Sequence, residues 1–312
     1  GEMDVGALVA NSQYISMILA AIMMLALVIL LFPMSYACAR RIAEVLNAES
    51  SIQSGNHSAS ERPERASVVF DHVTFAYPGA DEPVLKDISF ESRAGEVTAI
   101  IGRTGCGKSS VLKLVPRLYD AMFGHIYVDG MDVKKYKLEE LRSLIGYVPQ
   151  KGVLFTGTVK DNIAFGNPDI SEEEIVEAAK AAEADGFVRE MEKGYDSDIS
   201  QGGKNVSGGQ KQRLSIARAV AMKPEIFIFD DSFSALDYKT DKKVRENLKT
   251  AAAGATKLIV AQRIGTIMDA DTIVVLENGD AVGIGTHKEL LQTCPVYREI
   301  ALSQLSEEEL GL

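Results

Sequence analysis

The chain has 312 residues, of which 46% are hydrophobic and 25% charged, which is enough apolar material for one full-sized core plus an appendage and too much for a disordered protein. A formal net charge of −11 argues against a protein that coats nucleic acid, because that task needs basic surfaces, so any phosphate it binds must be held locally. Cys38, Cys106 and Cys294 form no CxxC pair, and His57, His72, His125 and His287 lack metal-ligand spacing, so neither a disulfide framework nor a zinc site is suggested.

From Ile15 to Ala39 the chain runs 25 residues without a charged side chain. As a helix this run rises roughly 37 Å, against a bilayer core of about 30 Å. A secretory signal would want a basic start and a shorter apolar stretch, whereas Glu2 and Asp4 precede this one. A soluble core helix is rarely apolar all round over such a length. A transmembrane helix is therefore expected within residues 1–46. Arg40 and Arg41 follow the run at once and place its C-terminal side in the cytoplasm. Pro33 removes a backbone donor and predicts a kink. One helix cannot enclose a substrate path, so the missing helices belong to a longer chain or to other chains.

Residues 47–66 are rich in Ser, Asn, Glu and Arg, with Gly55 and Pro63, and read as a linker. A large domain is expected over 67–305, with 306–312 as a tail. Within it, apolar strand-like runs (Val97 to Ile101, Ile226 to Phe229, Leu258 to Ala261, Ile273 to Leu276) alternate with helical patterns such as Ser171 to Ala184. That alternation predicts an α/β fold with a partly parallel sheet.

After the strand VTAII comes Gly102-Arg103-Thr104-Gly105-Cys106-Gly107-Lys108-Ser109-Ser110, a GxxxxGK loop followed by a hydroxyl, placed between a strand and a helix. The glycines let the backbone turn tightly so that N–H groups point inward, and the helix start adds its positive dipole. Lys108 would reach the β and γ phosphates and Ser109 would ligate Mg²⁺. Cys106, inside this cradle, is expected to be open to thiol reagents. Downstream, the apolar strand Ile226 to Phe229 ends in Asp230 and Asp231; the first acid would hold Mg²⁺ through water and the second would face the attacking water.

These two motifs fit many phosphate-loop ATPases, and the next one discriminates. Val206-Ser207-Gly208-Gly209-Gln210 resembles the LSGGQ signature of ABC ATPases, a hydroxyl and bare backbone donors at a helix start. The resemblance covers about 67–305. It implies a P-loop ABC-type nucleotide-binding domain with a helical subdomain, binding ATP and Mg²⁺, preceded here by one long transmembrane helix. It also implies that Tyr77 stacks on adenine, that Gln150 senses Mg²⁺ and faces the membrane domain, that Ser234-Ala235-Leu236-Asp237 is the D-loop, and that the signature closes over ATP held by another cassette. Helix-then-cassette order resembles the last transmembrane helix and cassette of an exporter half-transporter; importers usually keep their ATPases on separate chains.

Three features depart from the family pattern. Efficient members place Glu where this chain has Asp231, whose carboxylate sits roughly 1.5 Å further back than a general base wants. The switch histidine is replaced by Gln262, which can donate a hydrogen bond to a γ-phosphate but cannot titrate. Ser200-Gln201-Gly202-Gly203 stands where exporters often carry a Glu-containing segment. With the loop around Lys108 and the signature intact, the pattern resembles the degenerate-site subunit of a heterodimeric exporter. The expected partners are a second half-transporter chain with a consensus catalytic site, membrane lipid and an exported substrate that the sequence does not identify, with no nucleic acid. The alternatives are a homodimeric exporter that hydrolyses ATP slowly, a regulatory module that holds ATP without turnover, and, from another class, a soluble ABC ATPase acting on nucleic acid or ribosomes.

Overall fold

The structure, a computed structural model, describes residues 5–310. Glu2, Asp4, the first residues of the 1–46 segment and the end of the 306–312 tail lie outside them. The chain divides after Gln53 into two compact units.

The first unit holds one helix, α1 (Val5–Leu46), 42 residues long, which extends beyond the apolar run at both ends and continues through Pro33. Its most apolar stretch has a mean hydropathy of 3.0, so by length and composition it can cross a membrane. Arg40 and Glu44 pair across one turn after the apolar run.

The second unit begins at Ser54, inside the segment read as a linker. From there the chain is bound to the domain. Gly55 N–H donates to Tyr136 O, and Ser58 Oγ and Ala59 N–H donate to Glu140 Oε2. Arg62 forks between Asp129 at 3.3 Å and Glu225 at 2.5 Å.

Two main sheets build the unit, beside a short antiparallel pairing of Gly157–Thr158 with Asp198–Ile199. The antiparallel one runs β1 (Val68–Phe75), β2 (Leu85–Ser92) and β4 (Phe123–Val128), in the order β2-β1-β4, extended by Met131–Asp132. The other holds β3 (Val97–Gly102), β5 (Ile145–Val148), β6 (Ile226–Asp230), β7 (Thr256–Val260), β8 (Thr272–Glu277) and β9 (Asp280–Gly285), in the order β9-β8-β3-β7-β6-β5. All of its pairs are parallel except β8 with β9. Parallel strands covered on both faces read as continuous apolar runs, which is why the four expected runs fall on β3, β6, β7 and β8. Alternate residues then serve opposite cores: Phe227, Phe229 and Ile259 belong to one buried cluster, Ile226, Ile228, Leu258 and Val260 to the other.

Helices α2 (Lys108–Leu114), α3 (Val159–Ala164), α4 (Glu172–Ala181), α5 (Gly208–Ala221), α6 (Tyr238–Ala251) and α7 (Pro295–Leu302) pack around this frame. Of the expected 171–184 helix, α4 takes the part up to Ala181; it is started by Ser171, whose hydroxyl accepts from Glu174 N–H while Glu174 reaches back. Together with α3 and α5 it forms the helical part of a mixed α/β fold.

Candidate active site

In the parallel sheet Val260 lies opposite both Ile100 and Asp230, and Val148 opposite Phe229, so the carboxyl ends of β3, β5, β6 and β7 meet at one edge. Ligands of open α/β sheets bind at that edge, where loops leave in different directions. Here it gathers the loop 102–108, Gln150, Asp230, Asp231 and Gln262.

The loop after β3 closes around Lys108. Its Nζ donates to Gly102 O and Arg103 O, both at 2.8 Å, so the ammonium is held back over the loop that it follows. Gly107 has φ +100°, which L side chains rarely adopt, and a Cβ there would lie 2.7 Å from Leu85 Cδ2 and 3.1 Å from Val84 O. Gly105 also has a positive φ of +85° and opens onto free space. Cys106 corrects an expectation. It is 6% exposed and belongs to the core beneath the loop, with Lys108 Nζ 3.8 Å from its sulfur, so it is poorly accessible to thiol reagents.

Ser109 Oγ donates to Asp230 Oδ1 at 2.6 Å, and Tyr147 OH donates to Asp230 Oδ2 at 3.0 Å. A hydroxyl and a carboxylate in contact form an oxygen donor pair of the hard type that Mg²⁺ prefers, so the residues present fit that ion. Burial and the neighbouring Asp230 charge push the Tyr147 phenol upward, which keeps it a donor. Sequence reasoning missed Tyr147, since an aromatic residue on a strand reads as core. Its only signal is its place three residues before Gln150.

Asp231 follows β6 with φ +49° and is 5% exposed. Its Oδ2 accepts from Gln262 Nε2 at 2.8 Å and from Gln150 Nε2 at 3.1 Å. Burial, aided by the charge of Asp230, raises its pKa; hydrogen bonds and Lys108 pull the other way. Asp231 and Gln262 therefore touch each other. Ser234 Oγ donates to Asp231 O at 2.7 Å and ties the next loop to it.

Tyr77, Val84, Thr104, Gly105, Gly107, Lys108, Ser109, Ser110, Gln150, Asp231, Val260 and Gln262 line one cleft of about 410 Å³. Tyr77 stands half-buried at its wall, its OH 2.9 Å from Ser110 Oγ and its ring edge-on to Phe75 and Tyr119. Val84 was not singled out from sequence and has no local signal. Arg103 turns away from the cleft to Glu299, with both carboxylate oxygens at 2.9 Å.

The remaining predicted residues are not brought to this cleft. Val206 to Gln210 lead into α5, where Ser207 is the exposed N-cap: its Oγ accepts from Gln210 N–H, and Gln210 Oε1 accepts from Ser207 N–H. A Cβ on Gly209 would meet Ala235 O at 3.4 Å, so this segment lies against the loop Ser234-Ala235-Leu236-Asp237. In that loop Leu236 is buried and Asp237 caps α6 by accepting from Thr240 N–H.

Residues 85–234 match the sequence profile of the ABC transporter family. The chain is 45% identical over 315 residues to an uncharacterized ABC transporter ATP-binding protein of Mycobacterium tuberculosis, covering 100% of this chain and 54% of the relative. It is 42% identical over 308 residues to one of Bacillus subtilis, covering 99% of this chain and 53% of the relative. It superimposes on a bacterial Atm1-family ABC exporter with ATP bound with a TM-score of 0.83 at 34% identity, covering 96% of this chain and 53% of that one. The chain thus spans about half the length of the relatives it matches.

Proposed function

We propose that this chain, which carries an ABC transporter ATP-binding domain, is the final membrane helix and ATP-binding half of an exporter subunit whose own cleft holds ATP and turns it over slowly. The chain lies at the membrane through α1, and Arg40 and Arg41 keep the nucleotide-binding domain on the cytoplasmic side. Lys108 supplies the cation for the β and γ phosphates, Ser109 and Asp230 the ligands for Mg²⁺, and Tyr77 the aromatic wall for the base. When bound, Mg²⁺ neutralises phosphate charge.

The observation that carries the slow-site reading is the shared oxygen of Asp231. A general base must reach a water beyond it, and this short carboxylate is instead drawn between the amides of Gln150 and Gln262. Gln262 also cannot take up a proton. The segment Val206 to Gln210, which lines no part of this cleft, is free to close over nucleotide held by a second half-transporter with the consensus acid and histidine. ATP binding then draws two cassettes together, and hydrolysis at the competent site resets them.

Purification from the native membrane tests the pairing. A second ABC half-transporter should co-purify, and recovery of this chain alone would refute the heterodimer. Ser207→Ala, in the complex, should lower total ATP turnover far more than Lys108→Ala does. The reverse order would show that this cleft is the competent one.

A further inference from the structure

Gln304, in the turn after α7, grips the loop that carries Gln262. Its Nε2 donates to Gln262 O at 2.8 Å, and its Oε1 accepts from Ile264 N–H at 2.9 Å. One planar amide therefore bonds the backbone on both sides of Arg263, fixing the Cα from which the Gln262 side chain enters the cleft. The grip is itself anchored. The N–H groups of Gln304 and Leu305 both donate to Ala301 O, Ala301 and Tyr297 are fully buried, and Leu305 packs on the core. One turn earlier on the same segment, Glu299 holds Arg103 of the phosphate loop, although both side chains are exposed and the pair is screened by solvent.

We propose that Gln304 is a positioning residue: it holds the Gln262 amide at the point in the cleft where a γ-phosphate sits, and so sets the preference of this site for ATP over ADP. The inference rests on reading the cleft as an ATP site. A loop residue without this clamp keeps its side chain but loses the fixed backbone that aims it, and the loss falls on the one phosphate oxygen group that distinguishes the two nucleotides. Gln304→Met preserves length and volume and deletes both bonds.

The test is photolabelling of this chain, in the purified transporter, with an azido-ATP probe competed by Mg-ATP or Mg-ADP, so that the chains are read separately. Gln304→Met should weaken competition by ATP about fivefold, the effect of a net hydrogen bond, and leave ADP within about twofold. Gln262→Ala should show the same selective loss, and the double variant should be no weaker than the worse single one, since both act through one amide. Equal losses for ATP and ADP, no loss, or losses that multiply in the double variant would each overturn the proposal. Lys108→Ala separates the two readings. If it competes as the parent does, the ATP site itself is wrong; if it fails to bind while Gln304→Met behaves as the parent, only the clamp is.

Discussion

Asp231→Glu asks whether one methylene separates a nucleotide holder from a hydrolytic site. The Asp231 carboxylate is 5% exposed and is tethered by one oxygen to Gln262 at 2.8 Å and Gln150 at 3.1 Å. Glutamate carries its carboxylate roughly one C–C bond, about 1.5 Å, further into the cleft. A general base must come within about 2.6–3.2 Å of the proton it removes, and a misplacement of about 1 Å can lower a rate about 100-fold. The substitution should therefore raise turnover at this chain's cleft by about 10- to 100-fold, with Gln262 still limiting. It should also lower stability by about 1 kcal/mol, because position 231 has φ +49°, a conformation that aspartate adopts more readily than longer side chains. Single-turnover hydrolysis in the reconstituted complex, with thermal unfolding alongside, measures both. Burial that raises the carboxyl pKa at this position should make the gained rate climb with pH as the group ionises. Unchanged or reduced turnover with ATP still bound would refute the geometric argument.

Lys108→Ala removes the cation of the phosphate loop and should weaken ATP binding about 10- to 100-fold, the range for charge-assisted bonds, in a nucleotide titration; undiminished affinity would show that the loop is not the phosphate cradle. Gly107→Ala places a Cβ 2.7 Å from Leu85 Cδ2 at φ +100° and should destabilise the domain by about 1–3 kcal/mol in denaturant unfolding, whereas Gly186→Ala, with open space around it, should not. Burial lifts the Asp129 carboxyl to about 6, despite Ser67 N–H and Arg62, whose Nη1 lies 3.3 Å from Asp129 Oδ2. Because the folded value lies above the unfolded one, its stabilisation is present below about pH 4 and is lost as pH rises through about 6. Relative to Asp129→Asn, the parent should lose about 2 kcal/mol of unfolding free energy between pH 4 and pH 7; a difference independent of pH would show that the Arg62 charge compensates the burial.

Much of the fold was legible because its signals are contiguous. The loop from Gly102 to Ser110 is a motif of consecutive residues, and a strand buried on both faces must be apolar throughout, so β3, β6, β7 and β8 announce themselves. The unbroken apolar run of α1 and the cap at Ser171 are equally local. The linker reading came from polar composition, yet from Ser54 onward those polar side chains find partners far along the chain: Arg62 meets Glu225 across 163 residues and Ser58 meets Glu140 across 82. Sequence also named Asp231 and Gln262 as separate departures. Only parallel pairing of β6 with β7 set the two side by side, with Gln150 brought in from 81 residues away. Composition and spacing thus determined which groups the protein owns, because helix, strand and turn preferences are local. Tertiary structure decided which groups share an oxygen, because hydrogen bonds are made in space by whatever residues the sheet edge collects.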